Sequence, residues 1–441
     1  MDDEAWELDA YKHDSYLPCD LKEIVSRVRR KPIADKDVRL GLERDITAIP
    51  LNRGYLIRTM DVMLRVRTLQ PLYKLNGTLT AEEISSSNGV ESFLEQLHYY
   101  GLLSFGTNRG LFIYKDVPMR YRQLYERGDF VEFPLVPMNV ELDVTNSCNF
   151  FCIHCSKDSK ARDSLVEDGE LSLDEQKRLI HECAQIGVVK VILMGGEPLC
   201  SPHFMELVKY AKAEGIRNLG SSTNGWFITD QVARQLSQYF DDIQVSIHGA
   251  SSSTHDAIVG RRGAWRRAFR AVKALKEHGL KVNVSFTVMR ENLDDMHRMP
   301  DLVKQNGGDS LRFLCLNDQE GRARLLDGWS IEDIFEIGKQ LRTIYESRPI
   351  GLEMEAGGFP PLRPIQNDAS SYGCPGGRTL LSVAPDGRVR ICGSVGNDVG
   401  DVVKRSVLDI WHSPRLVEMR RQSECDCNYR SICYGTCQVK G

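Results

Sequence analysis

The sequence predicts an α/β fold with smaller units at either end, and three observations in the chain of 441 residues carry that prediction. First, from about residue 137 to 316 strand-like apolar runs alternate with helix-period segments, the order that builds a parallel sheet flanked by helices. Second, those runs stop at polar or glycine-bearing loops, and α/β folds set their sites at the C-terminal ends of strands. Third, the 13 cysteines cluster rather than scatter, at 148–155 and again after 374.

Residues 1–36 form a polar extension whose basic run, Arg27 to Lys31, reads as a solvated helix face, with Cys19 structural. From 37 to 115, Ile46-Thr47-Ala48-Ile49-Pro50-Leu51 and Tyr55-Leu56-Ile57-Arg58-Thr59 flank Asn52-Arg53-Gly54 as a hairpin. A helix-period segment is expected next, ending near Asn76-Gly77, and Thr80-Ala81-Glu82-Glu83 is a capping box for a second short helix. Val90, Phe93, Leu94 and Leu97 share one face of a third helix. Leu102-Leu103-Ser104-Phe105 and Leu111-Phe112-Ile113-Tyr114 then flank a Gly/Asn-rich tip like the wing of a winged helix. Residues 116–136 read as a connector.

The α/β region starts with the alternating run Val140-Glu141-Leu142-Asp143-Val144. Ser172-Leu173-Asp174-Glu175 caps a helix that buries Leu179, Ile180, Cys183 and Ala184 and stops at Gly187, which makes Cys183 a core residue. Val189-Lys190-Val191-Ile192-Leu193 is the next strand. Ser201-Pro202 opens a helix with Phe204, Leu207, Val208 and Ala211 inward. Strands at 242–247, 281–289 and 310–316 complete a count near six. After a helix near 331–346 and a Pro/Gly-rich loop, Leu380-Leu381-Ser382-Val383 and Val389-Arg390-Ile391 flank Asp386-Gly387 as a hairpin, and a helix follows near 406–421.

Composition excludes several classes. Hydrophobic residues make up 41% with no unbroken apolar run of membrane length, so no membrane partner is expected. The net charge of −4 gives no reason to expect nucleic acid. The acidic start Met1-Asp2-Asp3-Glu4 lacks the layout of an export signal, so a cytoplasmic protein is expected, in which cysteines serve as metal ligands or reactive thiols.

The densest stretch is Cys148-Asn149-Phe150-Phe151-Cys152-Ile153-His154-Cys155. Three thiolates at x3 and x2 spacing can aim at one point, and three leave one metal corner open where four would close it. A zinc site completed by His154 is the alternative, and it needs the loop to fold back tightly. Met194-Gly195-Gly196-Glu197-Pro198, Ser222-Thr223-Asn224-Gly225 and Ser246-Ile247-His248-Gly249 follow in order at strand ends, where glycines let a ligand approach the backbone.

These motifs together resemble the radical S-adenosylmethionine (radical SAM) enzymes. The resemblance implies a partial (β/α)6 TIM-like barrel over 137–330 and a [4Fe–4S] cluster on Cys148, Cys152 and Cys155 whose open iron chelates SAM. It implies that His154, Met194, Gly195, Gly196, Glu197, Pro198, Ser222, Asn224 and Ser246 line SAM. Two departures stand out: His154 replaces a common aromatic, and Val259 stands where the family often has Arg, leaving Arg261 or Arg262 as the nearest substitutes.

The second cysteine field resembles the SPASM extension (373–441, after a bridging region 331–372), which carries auxiliary [4Fe–4S] clusters. By that correspondence Cys374, Cys392 and Cys437 share one cluster and Cys425, Cys427 and Cys433 the other. Each set counts three thiolates where full ligation needs four. One or two auxiliary clusters are therefore expected, with Asp426, Cys19, Cys200 or Cys315 open as completing ligands, and zinc remains allowed by spacing alone.

Residues 37–115 look like the precursor-peptide recognition domain fused to many peptide-modifying radical SAM enzymes, which adds a leader peptide as an edge strand. A third helix bearing Glu91, Glu95 and His98 disfavours DNA reading. The resemblance implies an enzyme that cleaves SAM to a 5′-deoxyadenosyl radical, takes hydrogen from a ribosomally made precursor peptide and forms a thioether or carbon–carbon crosslink. An electron donor such as flavodoxin or ferredoxin is implied as a second partner. The alternatives are a radical SAM enzyme acting on a modified tetrapyrrole or a folded protein, as sulfatase-maturing enzymes do, and a non-catalytic iron–sulfur or zinc scaffold carrying a peptide.

Overall fold

The computed structural model describes seven strands between residues 39 and 113, and residues 136–421 apart from 158, 160–168, 217, 318–320, 358, 360–375, 378 and 394–397. Two compact units emerge, Met1–Val136 with Asn367–Ala369 and the remainder of the chain.

In the first unit β1 (Arg39–Leu42), β5 (Asn76–Thr80) and β6 (Leu103–Phe105) make a three-stranded sheet in the order β5-β1-β6. The strands β2 (Ile46–Pro50), β3 (Tyr55–Arg58), β4 (Met63–Val66) and β7 (Leu111–Ile113) make a second sheet in the order β4-β3-β2-β7. The expected hairpin is present, with Pro50 opposite Tyr55. Of the segment expected as a helix up to Asn76, Met63–Val66 is instead a strand paired antiparallel with β3, residues 67–75 lie outside the described residues, and Asn76–Thr80 is a strand on β1. The two expected wing strands also part company. Leu103–Phe105 joins β1 and Leu111–Ile113 joins β2, in different sheets. The second and third expected helices lie outside the described residues.

The second unit is built on one ten-stranded sheet. Its centre is the expected series of parallel strands: β8 (Asn139–Asp143), β9 (Lys190–Met194), β10 (Asn218–Thr223), β11 (Asp242–Ser246), β12 (Lys281–Val288) and β13 (Ser310–Cys315). The sheet runs past the sequence-derived end at both edges. β14 (Glu353–Gly357) adds in parallel to β13, and β15 (Leu380–Val383) adds in parallel to β8. β15 also turns through Ala384–Gly387 into β16 (Arg388–Arg390), the expected hairpin, and β17 (Asp398–Asp401) closes that edge.

Alternation explains the faces. In β8, Val140 and Leu142 are buried in a core shared with Leu179 and Ile180 of α1 (Leu173–Ile186). That helix starts at the expected Ser172–Glu175 capping box and stops on Gly187 in the left-handed region, with Cys183 buried as expected. α2 (Phe204–Ala213) buries Phe204, Leu207, Val208 and Ala211 as its pattern requires. The opposite strand positions are polar and bond one another across strands. Gln244 donates from Nε2 to Ser222 Oγ at 3.0 Å, and Lys190 pairs with Asp242 at 3.2 Å. Further helices are α3 (Asp230–Leu236), α4 (Ser252–Val259), α5 (Ala264–Glu277), α6 (Met299–Gln305), α7 (Ile331–Glu346), α8 (Val407–Trp411) and α9 (Pro414–Arg421). No helix among the described residues is long and apolar enough to cross a membrane.

Candidate active site

The parallel sheet delivers all the expected motif loops to the same end. The cysteine loop leaves β8 and is tied down on three sides. Phe151 and Ile153 donate their N–H groups to the carbonyls of Val259 and Ile258 at 3.1 and 3.0 Å. Arg261 donates from Nη1 to Asn149 O at 2.8 Å, and Arg322 from Nε to Cys152 O at 2.9 Å. Inside the loop, Phe150 N–H points at Cys148 Sγ, 3.4 Å away. Cys148, Cys152 and Cys155 are all free and half-buried.

Burial pushes the Cys148 thiol up to about 12 and Cys152 further still, so neither ionises readily on its own. Metal binding supplies the charge that displaces those protons. Ser147 Oγ, Asn149 Nδ2 and His154 Nδ1 are buried around the loop without hydrogen-bond partners, which marks a place built to take a polar group. Among the described residues no three His, Cys, Asp or Glu side chains converge to hold a single ion. A cubane cluster does not ask for that, because each thiolate binds a different iron. The residues present therefore fit an iron–sulfur cluster.

Gly195 and Gly196 stand where the motif requires, for a reason beyond ligand access. A Cβ on Gly195 would lie 2.4 Å from Thr145 O, and one on Gly196 2.3 Å from Ser147 O. The glycine pair lets the β9 end press against the start of the cysteine loop, and Gly196 and Glu197 N–H bond Thr145 O and Ser147 O there at 2.8 and 2.9 Å. Met194 ends β9 and its carbonyl accepts from Val144 N–H; Pro198 opens a single 3-10 turn, Pro198–Cys200.

Glu197 is 1% exposed. Its Oε1 accepts from Thr223 Oγ1 at 2.6 Å and its Oε2 from Asn224 N–H at 2.7 Å. Burial nonetheless raises its carboxyl to about 7. Asn224 donates from Nδ2 to Asn149 Oδ1 at 2.7 Å, so the third motif reaches the cysteine loop directly. Ser222 and Ser246 sit on the polar strand positions, Ser246 within 3.3 Å of Ser285 Oγ.

His154 packs edge to face on His248, with ring centroids 4.3 Å apart, and His248 stacks on His255 at 6.1 Å. His255 Nδ1 accepts from His248 N–H, and His248 Nδ1 from Thr287 N–H. Burial lowers His154 and His255 to about 4 and His248 well below its usual value, so all three are neutral imidazoles at pH 7. Val259 is buried and serves through its carbonyl; Arg261 reaches the loop in its stead, with its guanidinium 4.1 Å from the Trp226 ring.

Several residues at this end carried no sequence signal. Arg322 lies far along the chain, yet it holds Cys152 O and covers the Phe151 ring at 4.0 Å. Lys157, half-buried two residues past Cys155, pairs with Asp143 of β8 and is held charged by it and by Glu141 against the cost of partial burial. Glu141 in turn accepts from the Ser382 side chain of β15 and the N–H of Gly393, beside Cys392. Alternation did mark Glu141 and Asp143 as the non-core side of β8, but not their partners. Cys200 accepts from Asn149 N–H, which places it at the first cysteine field and not the second. Cys392 is half-buried; Cys374, Cys425, Cys427, Cys433 and Cys437 lie outside the described residues.

Comparison with known proteins agrees with this geometry. Residues 142–303 match the radical SAM superfamily and residues 374–438 an iron–sulfur cluster-binding domain, SPASM. The AdoMet-dependent heme synthase of Methanosarcina barkeri is 28% identical over 68% of this chain and 90% of its own length. The mycofactocin maturase MftC of Mycobacterium tuberculosis is 29% identical over 69% of this chain and 78% of its own. The crystal structure of Streptococcus suis SuiB bound to precursor peptide SuiA superposes with a TM-score of 0.64 at 15% identity, over 91% of this chain and 93% of that one. Three cysteines on a loop braced by the Gly195–Gly196 turn, with a second cysteine field beyond, thus belong to a SAM- and [4Fe–4S]-dependent chain: it is a radical SAM enzyme with a C-terminal SPASM domain, resembling the maturases of ribosomally made peptides.

Proposed function

We propose that the chain matures a ribosomally made precursor peptide by abstracting hydrogen from it and closing a thioether or carbon–carbon crosslink. One observation carries this reading over a small-molecule one. The fold match to peptide-bound SuiB spans 91% of the chain, so it takes in most of the N-terminal unit. The N-terminal unit offers two small sheets with outer strands, the kind of edge to which a leader peptide can add.

In this reading Cys148, Cys152 and Cys155 hold the cluster. Glu197 and the backbone of Met194–Pro198 would hold the SAM amino group, His154 would pack at its adenine, and Ser222, Asn224 and Ser246 would complete the cofactor site. Cys374, Cys392, Cys425, Cys427, Cys433 and Cys437 serve one or two auxiliary clusters. Bound cluster and SAM supply a carbon-centred radical able to take hydrogen from an unactivated carbon. The chain's own residues bury, orient and dry the site: Phe150 is 3% exposed beneath Trp226, and the neutral histidine stack keeps charge away. A one-electron protein donor is the second partner.

The deciding experiment titrates the full chain, and the chain lacking residues 1–136, with a leader peptide read from a small open reading frame beside its own. Binding that vanishes with the N-terminal unit, while reduced SAM cleavage persists and the Cys152→Ala variant cleaves none, supports the proposal. Equal binding by both chains rejects it. The heme synthase similarity supports a tetrapyrrole substrate as the second reading, and conversion of a tetrapyrrole by the truncated chain would favour it.

A further inference from the structure

Outside the cysteine loop the molecule presents a face that the cofactor site does not use. Phe151, between two of the cluster cysteines, is 56% exposed, and Phe227 is 38% exposed. Arginines surround them. Arg322 covers the Phe151 ring at 4.0 Å, and Arg261 and Arg267 stand 4.1 and 4.5 Å from the Trp226 ring. Arg262, Arg266 and Arg270, before and along α5, and Arg324, beside Arg322, are exposed and make no ion pair among the described residues. Asp256 of α4 is turned inward and accepts from Gly263 and Trp265 N–H at 2.6 and 2.8 Å. Asp327 is exposed three residues beyond Arg324.

We propose that this arginine-rimmed aromatic face is the docking surface for an acidic one-electron carrier protein, a flavodoxin in the test below. The proposal rests on the cluster assignment and names where its electron enters. The face is basic on a chain whose net charge is −4, so an acidic partner is drawn to this patch and turned away elsewhere. Its aromatic centre suits the desolvated middle of an interface and its guanidinium rim the polar edge. Two of its arginines touch the loop itself, at Asn149 O and Cys152 O, so the partner would sit against the segment that holds the cluster. In the transfer a flavin hydroquinone is oxidised by one electron and the oxidised cluster is reduced by one, with no heavy-atom bond made or broken.

The test uses the reconstituted full chain and its variant Arg266→Glu/Arg270→Glu/Arg324→Glu, with the corresponding triple Gln variant alongside. Oxidised flavodoxin is titrated against each at low and high salt. Cluster bleaching is then followed with flavodoxin hydroquinone and separately with dithionite. The triple Glu variant should bind flavodoxin at least about tenfold more weakly at low salt, with the Gln variant between and all three converging as salt rises. Bleaching by dithionite, and SAM cleavage driven by it, should match the unmodified chain. Unchanged flavodoxin affinity in variants with normal dithionite chemistry overturns the docking surface alone. Failure of the unmodified chain to cleave SAM with dithionite overturns the cluster assignment and the docking with it. Capture of duplex DNA by this face in preference to flavodoxin would also overturn it.

Discussion

Glu197 is the residue whose chemistry the structure makes most testable. A carboxyl raised to about 7 must lose its proton to face a cation, so a bound ammonium favours the charged form. SAM affinity should therefore weaken by about tenfold for each pH unit below 7 and level off above it. Isothermal titration across pH checks this, and Glu197→Gln should bind SAM weakly with a flat profile. The ligand-free fold has the opposite sign. Ionising a buried acid costs the folded state, so stability falls as pH rises from the ordinary carboxylate value towards 7, and the Gln variant should lose that slope. A second residue-scale prediction concerns Gly196. An alanine there meets Ser147 O at 2.3 Å, backbone against backbone, so Gly196→Ala should destabilise the chain by about 1–3 kcal/mol in denaturant unfolding and lower iron content. At this scale the sequence identified residue types better than their partners. Cysteine spacing and Gly195–Gly196 were legible because short-range chemistry requires them. Arg322, the His154–His248–His255 stack and the Lys157 bridge were not, because each joins positions separated along the chain and brought together only by strand order.

Among the elements, β8 and β15 matter most. Their parallel pairing, Leu380 against Asn139 through Val383 against Leu142, makes the C-terminal hairpin part of the barrel sheet. α1 reinforces the joint: Arg178 donates to Val402 O at 3.0 Å and Glu182 accepts from Val407 N–H at 2.5 Å. A chain ending at residue 372 would leave the β8 edge unpaired, and exposed strand edges recruit other chains. Such a truncation should aggregate on expression, judged by size-exclusion chromatography, while the full chain elutes as a defined species. Strand and helix periodicity located the six central strands and the capped helices within a residue or two. It missed β14, whose Glu353-Met354-Glu355-Ala356-Gly357 alternates weakly beside proline-rich sequence. It also missed the role of β15, since its hairpin was legible locally but its parallel neighbour on β8 was not.

Across the whole molecule, one largely buried set of charges links the first cysteine loop to the neighbourhood of Cys392, more than two hundred residues further along the chain. Lys157 follows the first field, Glu141 and Asp143 lie on β8, and Glu141 holds the N–H of Gly393 next to Cys392. Removing Glu141 leaves Lys157 with Asp143 alone and strips the Gly393 N–H of its acceptor, so Glu141→Ala should destabilise the chain by about 1–3 kcal/mol. Glu141→Gln keeps the shape and discards only the charge. The bridge also has a bearing on maturation of the enzyme itself. Metal delivered to one loop would stiffen the strand that seats the other, so filling of the two fields should be a concerted event in the unmodified chain. Stepwise iron titration followed by Mössbauer spectroscopy should find few half-filled molecules there and a growing share of them in Glu141→Gln.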